Sequence, residues 1–269
     1  MNAPLPASLE ETPAAEPDRQ FATTLASGID ILLAFRVGDT ALGNKEFAER
    51  TGLSRPAVAR LTHTLVQLGY LRHDDSLGKY RLGAAVLSAS YSLLAGMHVR
   101  QIARPLMKAL ADRVGAAVSL GTRDRLNMVY VETARSTGQI AFTPDIGATL
   151  PMLTTAMGRA WLCRASAKER DETLNRIKLA DPEAWRRHAS RVRLIRDVFE
   201  QRGYCACRAE WREDVYGFAA PLARPIEGRI FVVNCGVPVE GRKFAPIEGE
   251  VAPQLVALVR ELEALLGMR

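Results

Sequence analysis

The sequence predicts an α+β protein with a winged helix-turn-helix toward its N-terminus and a larger domain built on an antiparallel sheet behind it. Three features carry that expectation. Two short helical patterns meet a third across the tight break "GLS" at residues 52–54. The alternating stretch "YLRHDDSLGKYRLG" follows and reads as a β-hairpin around turn formers. Beyond residue 99, runs of period two and period 3.6 succeed one another, as strands and covering helices do.

The first 20 residues, rich in Pro, Ala and Glu, predict a disordered tail. The winged domain is expected over residues 21–83. In "TTLASGIDILLAF", Leu25, Ile29, Leu32 and Leu33 recur at helical spacing, with Thr24 as N-cap. "NKEFAERT" predicts a short helix capped by Asn44 and anchored by Phe47. In the third helix Val58, Leu61, Leu65 and Leu68 repeat at three and four, the mark of a buried face. At about 100° per residue the opposite side carries Pro56, Ala59, Arg60, His63 and Gln67, flanked by Arg55 and Thr62. With Ser54 as cap, Pro56 falls at the second helical position, where its missing N–H breaks no intrahelical bond.

Residues 84–98 predict a linker helix whose small side chains suit close contact, across a dimer or within one subunit. The larger domain is expected over 99–269. It opens on "VRQIARPLMKALADRVG", with Ile102, Leu106, Leu110 and Val114 on one stripe. "AAVSLGTRD" and "LNMVYVETA" predict a strand pair, and "TTAMGRAWLCRA" and "RVRLIRDVFEQRGY" predict helices. "YGFAAPLARP" and "GRIFVVNCGVPV" predict two further strands, and "GEVAPQLVALVRELEALLG" a closing amphipathic helix.

Lys and Arg number 36 against 30 Asp and Glu, a net charge of +6, which suits an anionic partner. The distribution is more specific than the total. From Thr51 to His73 there are three Arg and two His but no acid, so nothing in that run repels a phosphate. Arg55 and Arg60 are types that reach guanine or phosphate, Gln67 pairs with adenine, and the methyls of Ala59 and Thr62 suit a thymine methyl. Ser54 caps a helix start that favours a nearby phosphate. Arg72, Lys79 and Arg81 are placed for a wing on the backbone or minor groove. Asp74 and Asp75 at the hairpin tip make that a positioning contact rather than deep insertion. Double-stranded DNA is therefore the expected partner.

The remainder carries no catalytic signature. There is no G-x-S-x-G elbow, P-loop or G-x-G-x-x-G, and the histidines at 63, 73, 98 and 188 are scattered, so neither catalysis nor a cofactor is expected. The four cysteines, at 163, 205, 207 and 235, form no C-x-x-C pair and suit a reducing cytosol. No apolar run approaches the roughly 20 residues of a membrane span, and acids stand where a signal peptide would carry bases. A cytoplasmic protein is expected. On a strand Cys205 and Cys207 would face one way, and with Cys235 would offer a thiolate metal or redox site; the competing reading is that each packs as a small hydrophobe. "TTAMGRA" offers N–H groups at a helix start capped by Thr154 or Thr155, a place for a carboxylate. Arg208 and Arg212 are candidates to pair with an anionic ligand, and Trp161 and Trp185 read as packing anchors.

"FAERTGLSRPAVARLTHTLVQLGYLRHDDSLGKYRLG" resembles the DNA-binding domain of the IclR-type bacterial transcriptional regulators. The likeness continues in order through "IARPLMKALADRVG", "VYVE", "LPMLTTAMGRAWL", "RGY" and "GFAAPL", and covers nearly the whole chain from about residue 24. It implies a winged helix-turn-helix, a dimerising linker helix and a C-terminal GAF-like effector-binding domain. It also implies a homodimer or tetramer on a partly palindromic operator, acting as repressor or activator. Carried position by position, the resemblance places the effector pocket at Leu150, Thr154, Thr155, Ala156 and Met157, and on strands at Cys207, Gly217, Asn234 and Gly236. Gly217 stands where the family commonly has a cysteine, "CACRA" replaces acids after "RGY", and Asn234 and Gly236 replace small hydroxyl residues. A roomier, less polar pocket follows, suited to an aromatic or bulkier metabolite rather than a small keto acid. Two rival readings stay open: a metal- or redox-sensing regulator using its cysteines, and a small-molecule-metabolising enzyme with an accessory helical domain.

Overall fold

The computed structural model describes residues 20–137 and 144–268. The expected N-terminal tail, but for Gln20, lies outside them. The chain divides into two compact units between Leu93 and Leu94, inside the helix expected to be the linker.

In the first unit, α1 (Thr23–Leu33), α2 (Asn44–Thr51) and α3 (Arg55–Gln67) are followed by a hairpin of β1 (Leu71–Asp74) and β2 (Lys79–Leu82), and then by α4 (Ala85–Ala95). The core is Ile31, Leu42, Phe47, Val58, Leu65 and Leu71. Gly52 ends α2 in the left-handed conformation, φ 73°, with its N–H bonded to Ala48 O, which lets α3 start three residues later, at Arg55. Ser54 caps α3, its Oγ accepting from Ala57 N at 3.4 Å, and Pro56 lies in the first turn. The hairpin pairs Leu71 with Leu82 and Asp74 with Lys79. Leu42 adds a bridge to Tyr80 that seats the hairpin against the helices.

Several local expectations need correction. Helix α1 begins after Ala22 with no side-chain cap, so Thr24 is not the N-cap, and Gly43 rather than Asn44 precedes α2. The buried residue of α1 is Ile31, while Leu25, Ile29 and Leu33 are exposed. In α3, Thr62 is fully buried and Leu68 is exposed. Thr62 tolerates burial because its hydroxyl donates to Val58 O at 2.9 Å. It is therefore a core residue and not part of the outer face.

The second unit opens on α5 (His98–Val114), which buries Val99, Ala103, Met107, Leu110, Ala111 and Val114. Its sheet is formed by β3 (Ala117–Asp124), β4 (Asn127–Arg135), β5 (Thr149–Pro151), β6 (Cys205–Arg208), β7 (Val215–Pro221) and β8 (Phe231–Pro238). Among the described residues the order is β5-β4-β3-β8-β7-β6, antiparallel throughout. On one face α5 and α9 (Phe244–Leu265) close a core with Leu120, Phe218, Val233 and Cys235. On the other lie α6 (Ala156–Arg164), α7 (Ala167–Ala180) and α8 (Pro182–Arg202), over Met128, Leu150, Cys205 and Val232. Strand alternation divides the residues between these faces. Helix α7, the front of α8 and the short β5 were not anticipated.

One irregularity shapes the second face. The β3–β4 register slips between Leu120 and Gly121: Leu120 pairs with Glu132, but Gly121 pairs with Tyr130. The extra residue, Val131, is a bulge. It puts Tyr130 and Thr133 on the same face of the sheet as Ser119, while Val131 joins the α5 core.

Candidate functional site

The first candidate is the outer face of α3. Ser54, Arg55, Pro56, Ala59, Arg60, His63 and Gln67 are all exposed, as is Arg72 on β1. The two other cations of the hairpin are engaged. Lys79 Nζ lies 2.5 Å from Glu46 Oε1 on α2, and that contact holds the Glu46 carboxyl below its usual pKa. Arg81 bonds Asp74 Oδ2 at 2.8 Å and Thr40 O at 3.2 Å. Hydrogen bonds from Ser76 and Arg81 hold the Asp74 carboxyl down at about 2, so it remains ionised at the hairpin tip. Lys79 and Arg81 thus brace the hairpin, and Arg72 is the exposed cation of the predicted wing set.

The second candidate is an open cleft on the α6 side of the sheet, enclosing about 750 Å³ with its mouth included. Seven of the nine expected pocket residues line it: Leu150, Thr155, Ala156, Cys207, Gly217, Asn234 and Gly236. Thr154 and Met157 do not, and both are corrections. Thr154 opens into a different hollow beside Ile177 and Asp181. Met157 is fully buried on the sheet, where a Cβ at Gly121 would come within 2.7 Å of its Sδ. The helical turn of α6 carries it away from the cleft mouth.

The cleft's polar groups are few and mostly bonded. Asn234 Nδ2 donates to the Tyr130 hydroxyl at 3.1 Å. Burial pushes the Tyr130 phenol well above its usual pKa, so it stays protonated. Ser119 and Thr133 share a hydroxyl hydrogen bond of 3.1 Å. Thr155 caps α6, accepting from Gly158 N at 3.1 Å and donating to Pro151 O at 2.7 Å. The Cys207 thiol donates to Thr154 O at 2.9 Å, and burial raises its pKa.

Residues that sequence reasoning passed over complete the walls: Ser119, Tyr130 and Trp211. Trp211 sits on the loop after β6, where Ala209 adopts φ 58°. That loop is tied down by Glu210, whose carboxylate meets the buried Arg159 guanidinium on two oxygens, the first at 2.9 Å, and meets Arg191 from outside. Arg159 also donates to Leu153 O and Ala206 O, so one buried cation joins α6, β6 and the rim loop. Of the two arginines proposed to hold an anion, Arg212 lines the cleft but is bonded by Asp214 at 2.6 and 3.0 Å. Arg208 lies over the Phe244 ring on the opposite face of the sheet. Cys235 also faces that opposite core, where burial pushes its thiol up to about 12, so it does not meet Cys205 and Cys207. Among the described residues, no group of three or more His, Cys, Asp or Glu is arranged to hold a metal ion. None of their helices is long and apolar enough to cross a membrane.

A model of the bacterial transcriptional regulator IclR C-terminal domain matches residues 91–261, and one of the IclR helix-turn-helix domain matches residues 24–75. The chain belongs to the IclR family of bacterial transcriptional regulators. It is a ligand-responsive, DNA-binding regulator, as its family is. The HTH-type transcriptional regulator TsaQ1/TsaQ2 of Comamonas testosteroni is 32% identical over 243 residues, covering 90% of this chain and 87% of the relative. The Pca regulon regulatory protein of Pseudomonas putida is 26% identical, covering 91% and 84%. The crystal structure of an IclR family transcriptional regulator from Brucella abortus superposes with a TM-score of 0.81 at 38% identity, covering 95% of this chain and 96% of that one. Relatives of this kind are regulators, which removes the enzyme reading.

Proposed function

We propose that this IclR-type regulator reads a partly palindromic operator through the exposed face of α3, as a homodimer or tetramer, and is switched by an aromatic or similarly bulky organic metabolite in the cleft. The observation that carries the DNA contact is the acid-free outer face of α3, with Arg55, Arg60, His63 and Gln67 exposed together on a helix whose start is stiffened by Ser54 and Pro56. Arg72 adds a backbone contact from the hairpin. Self-association is supported by apolar surface that a lone copy leaves in water: Leu25, Ile29 and Leu33 on α1, and Leu87, Tyr91 and Leu93 on α4.

The metabolite class follows from the lining. Ala117, Gly217 and Gly236 keep the sheet floor low, Leu150 and Trp211 are apolar walls, and the cationic lining residue is already paired with Asp214. A flat ring fits such a slot. A polar group on it would meet Ser119 and Asn234, or the free N–H groups of the first α6 turn. A thermal-shift series tests this: substituted benzoates and phenols are expected to stabilise the protein, and a stabilisation seen only with small keto acids contradicts it. Effector binding then acts as a population shift among arrangements of the oligomer that space its DNA-reading heads differently.

A further inference from the structure

We propose that Cys163 and Cys205 form a dithiol that is oxidised by a hydroperoxide-class oxidant to a disulfide stapling α6 to β6 beside the ligand cleft. The sequence spacing points instead to Cys205 with Cys207 and Cys235, and the fold breaks up that trio. It brings together two cysteines 42 positions apart, with their sulfurs 3.8 Å from one another. This is van der Waals contact between thiols, and closing it to the roughly 2 Å of a disulfide asks for side-chain rotation and a backbone adjustment.

The two sulfurs are unlike in access and in charge. Cys205 is buried at the start of β6. Cys163, near the end of α6, is partly buried and opens into a hollow of its own between α6, α7 and α8, distinct from the ligand cleft and walled by Leu174, Trp185 and Ile195. Arg170 and Arg196 line the same hollow. The charged groups around it are these two arginines with their partners Asp171 and Glu200. The hydrogen bond from Cys205 draws the Cys163 thiol below its ordinary pKa against the opposing effect of burial, with the two arginines assisting and Glu200 opposing. The same bond, with burial, drives the Cys205 thiol up. Cys163 is therefore the attacking sulfur and Cys205 its proton-bearing partner.

The chemistry balances without any further reactant. The Cys163 thiolate attacks one peroxide oxygen and the O–O bond breaks. A sulfenic acid forms, and hydroxide (or alkoxide) leaves and takes up a proton. The Cys205 sulfur then attacks the sulfenic sulfur, the S–S bond forms, and the S–O bond breaks to release water with the Cys205 proton. Two thiols lose two electrons, and the hydroperoxide is reduced to water and an alcohol, or to two waters.

The staple's position gives it a consequence. Helix α6 begins at Thr155 and Ala156 on the cleft wall, and Cys207, two residues beyond Cys205 on the same strand, lies in the cleft itself. A bond between Cys163 and Cys205 would fix the spacing of the two elements that flank the ligand. Oxidation and ligand binding would then act on one joint; that coupling rests on the function proposed above, whereas the sulfur chemistry does not depend on it.

The test uses the unmodified full chain with hydrogen peroxide as the probe. After stoichiometric peroxide, two of the four thiols should be lost. Peptide mapping should find one Cys163–Cys205 cross-link lighter by two hydrogens, reversed by dithiothreitol. Cys207→Ser and Cys235→Ser variants should retain it. Hydrogen exchange over residues 155–164 and 205–208 should slow by about threefold or more in the oxidised form. Four surviving thiols, a Cys163 carried to sulfinic acid with Cys205 still free, or a cross-link that uses Cys207 would each overturn the proposal. A failed ligand screen would leave this mapping untouched, so the two proposals fail separately.

Discussion

Arg60 stands on the solvent face of α3, one helical turn beyond Pro56 and clear of the core residues Val58, Thr62 and Leu65. If it reads a base edge, Arg60→Ala should weaken operator binding by about 1–3 kcal/mol while leaving the helix intact. Fluorescence anisotropy with labelled operator measures that directly, and circular dichroism checks that the fold is unchanged. Two glycines behave oppositely in the second unit. A Cβ at Gly217 would lie 3.5 Å from the Ala156 Cβ and 3.6 Å from the Cys207 Cβ, ordinary contact that narrows the cleft without a clash. Gly217→Ala should fold normally and lose ligand-induced stabilisation. At Gly158 a Cβ would sit 2.3 Å from Met152 O, so α6 would have to move off its supporting segment. Gly158→Ala should cost about 1–3 kcal/mol or more, read from urea unfolding followed by tryptophan fluorescence.

Helix α6 and the loop after β6 are held to each other by Arg159 and Glu210, and this is the joint on which the cleft rim depends. Arg159 is almost wholly buried, and its removal takes away the inner partner of Glu210 while Arg191 still meets it from outside, so Arg159→Met should destabilise the unit by about 1–3 kcal/mol. The effect carries a pH signature. Burial opposes ionisation of Glu210, but the Arg159 and Arg191 hydrogen bonds outweigh it and hold its pKa below the ordinary value. A group with a lowered folded pKa contributes stability above its unfolded pKa and loses it as pH falls through the folded one. The gap between wild type and Arg159→Met in urea unfolding should therefore narrow below about pH 4.3. A gap that stays constant down through that range would contradict the pairing. What was legible beforehand follows the same division into local and long-range causes. The run from α2 through the hairpin was legible because its capping, turn and periodicity signals are local. The polar helix α7 and the four-residue strand β6 give weak periodic signals. The bulge at Val131, which brings Tyr130 and Thr133 to one face, leaves no mark in the sequence. Trp211 and Ser119 reach the cleft only through sheet topology, so no local pattern finds them. The stripe Leu25, Ile29 and Leu33 was correctly periodic but faces outward, because period alone does not say which side meets the core.

Taken as a whole, the molecule is two compact units that present different chemistry, one an exposed basic helix face and the other an apolar cleft. The apolar side chains left in water on α1 and α4 are reason to expect a second copy, which sedimentation at micromolar concentration should detect as a dimer or larger. A two-fold assembly places two α3 helices on two half-sites about one helical turn of DNA, roughly 34–36 Å, or a multiple of that apart. Footprinting of the purified protein on the DNA upstream of its own gene tests the central claim most directly. The expected result is a protected pair of related half-sites that weakens sharply with Arg60→Ala. An absence of protection, or protection that Arg60→Ala leaves unchanged, would contradict the assignment of α3 as the reading element.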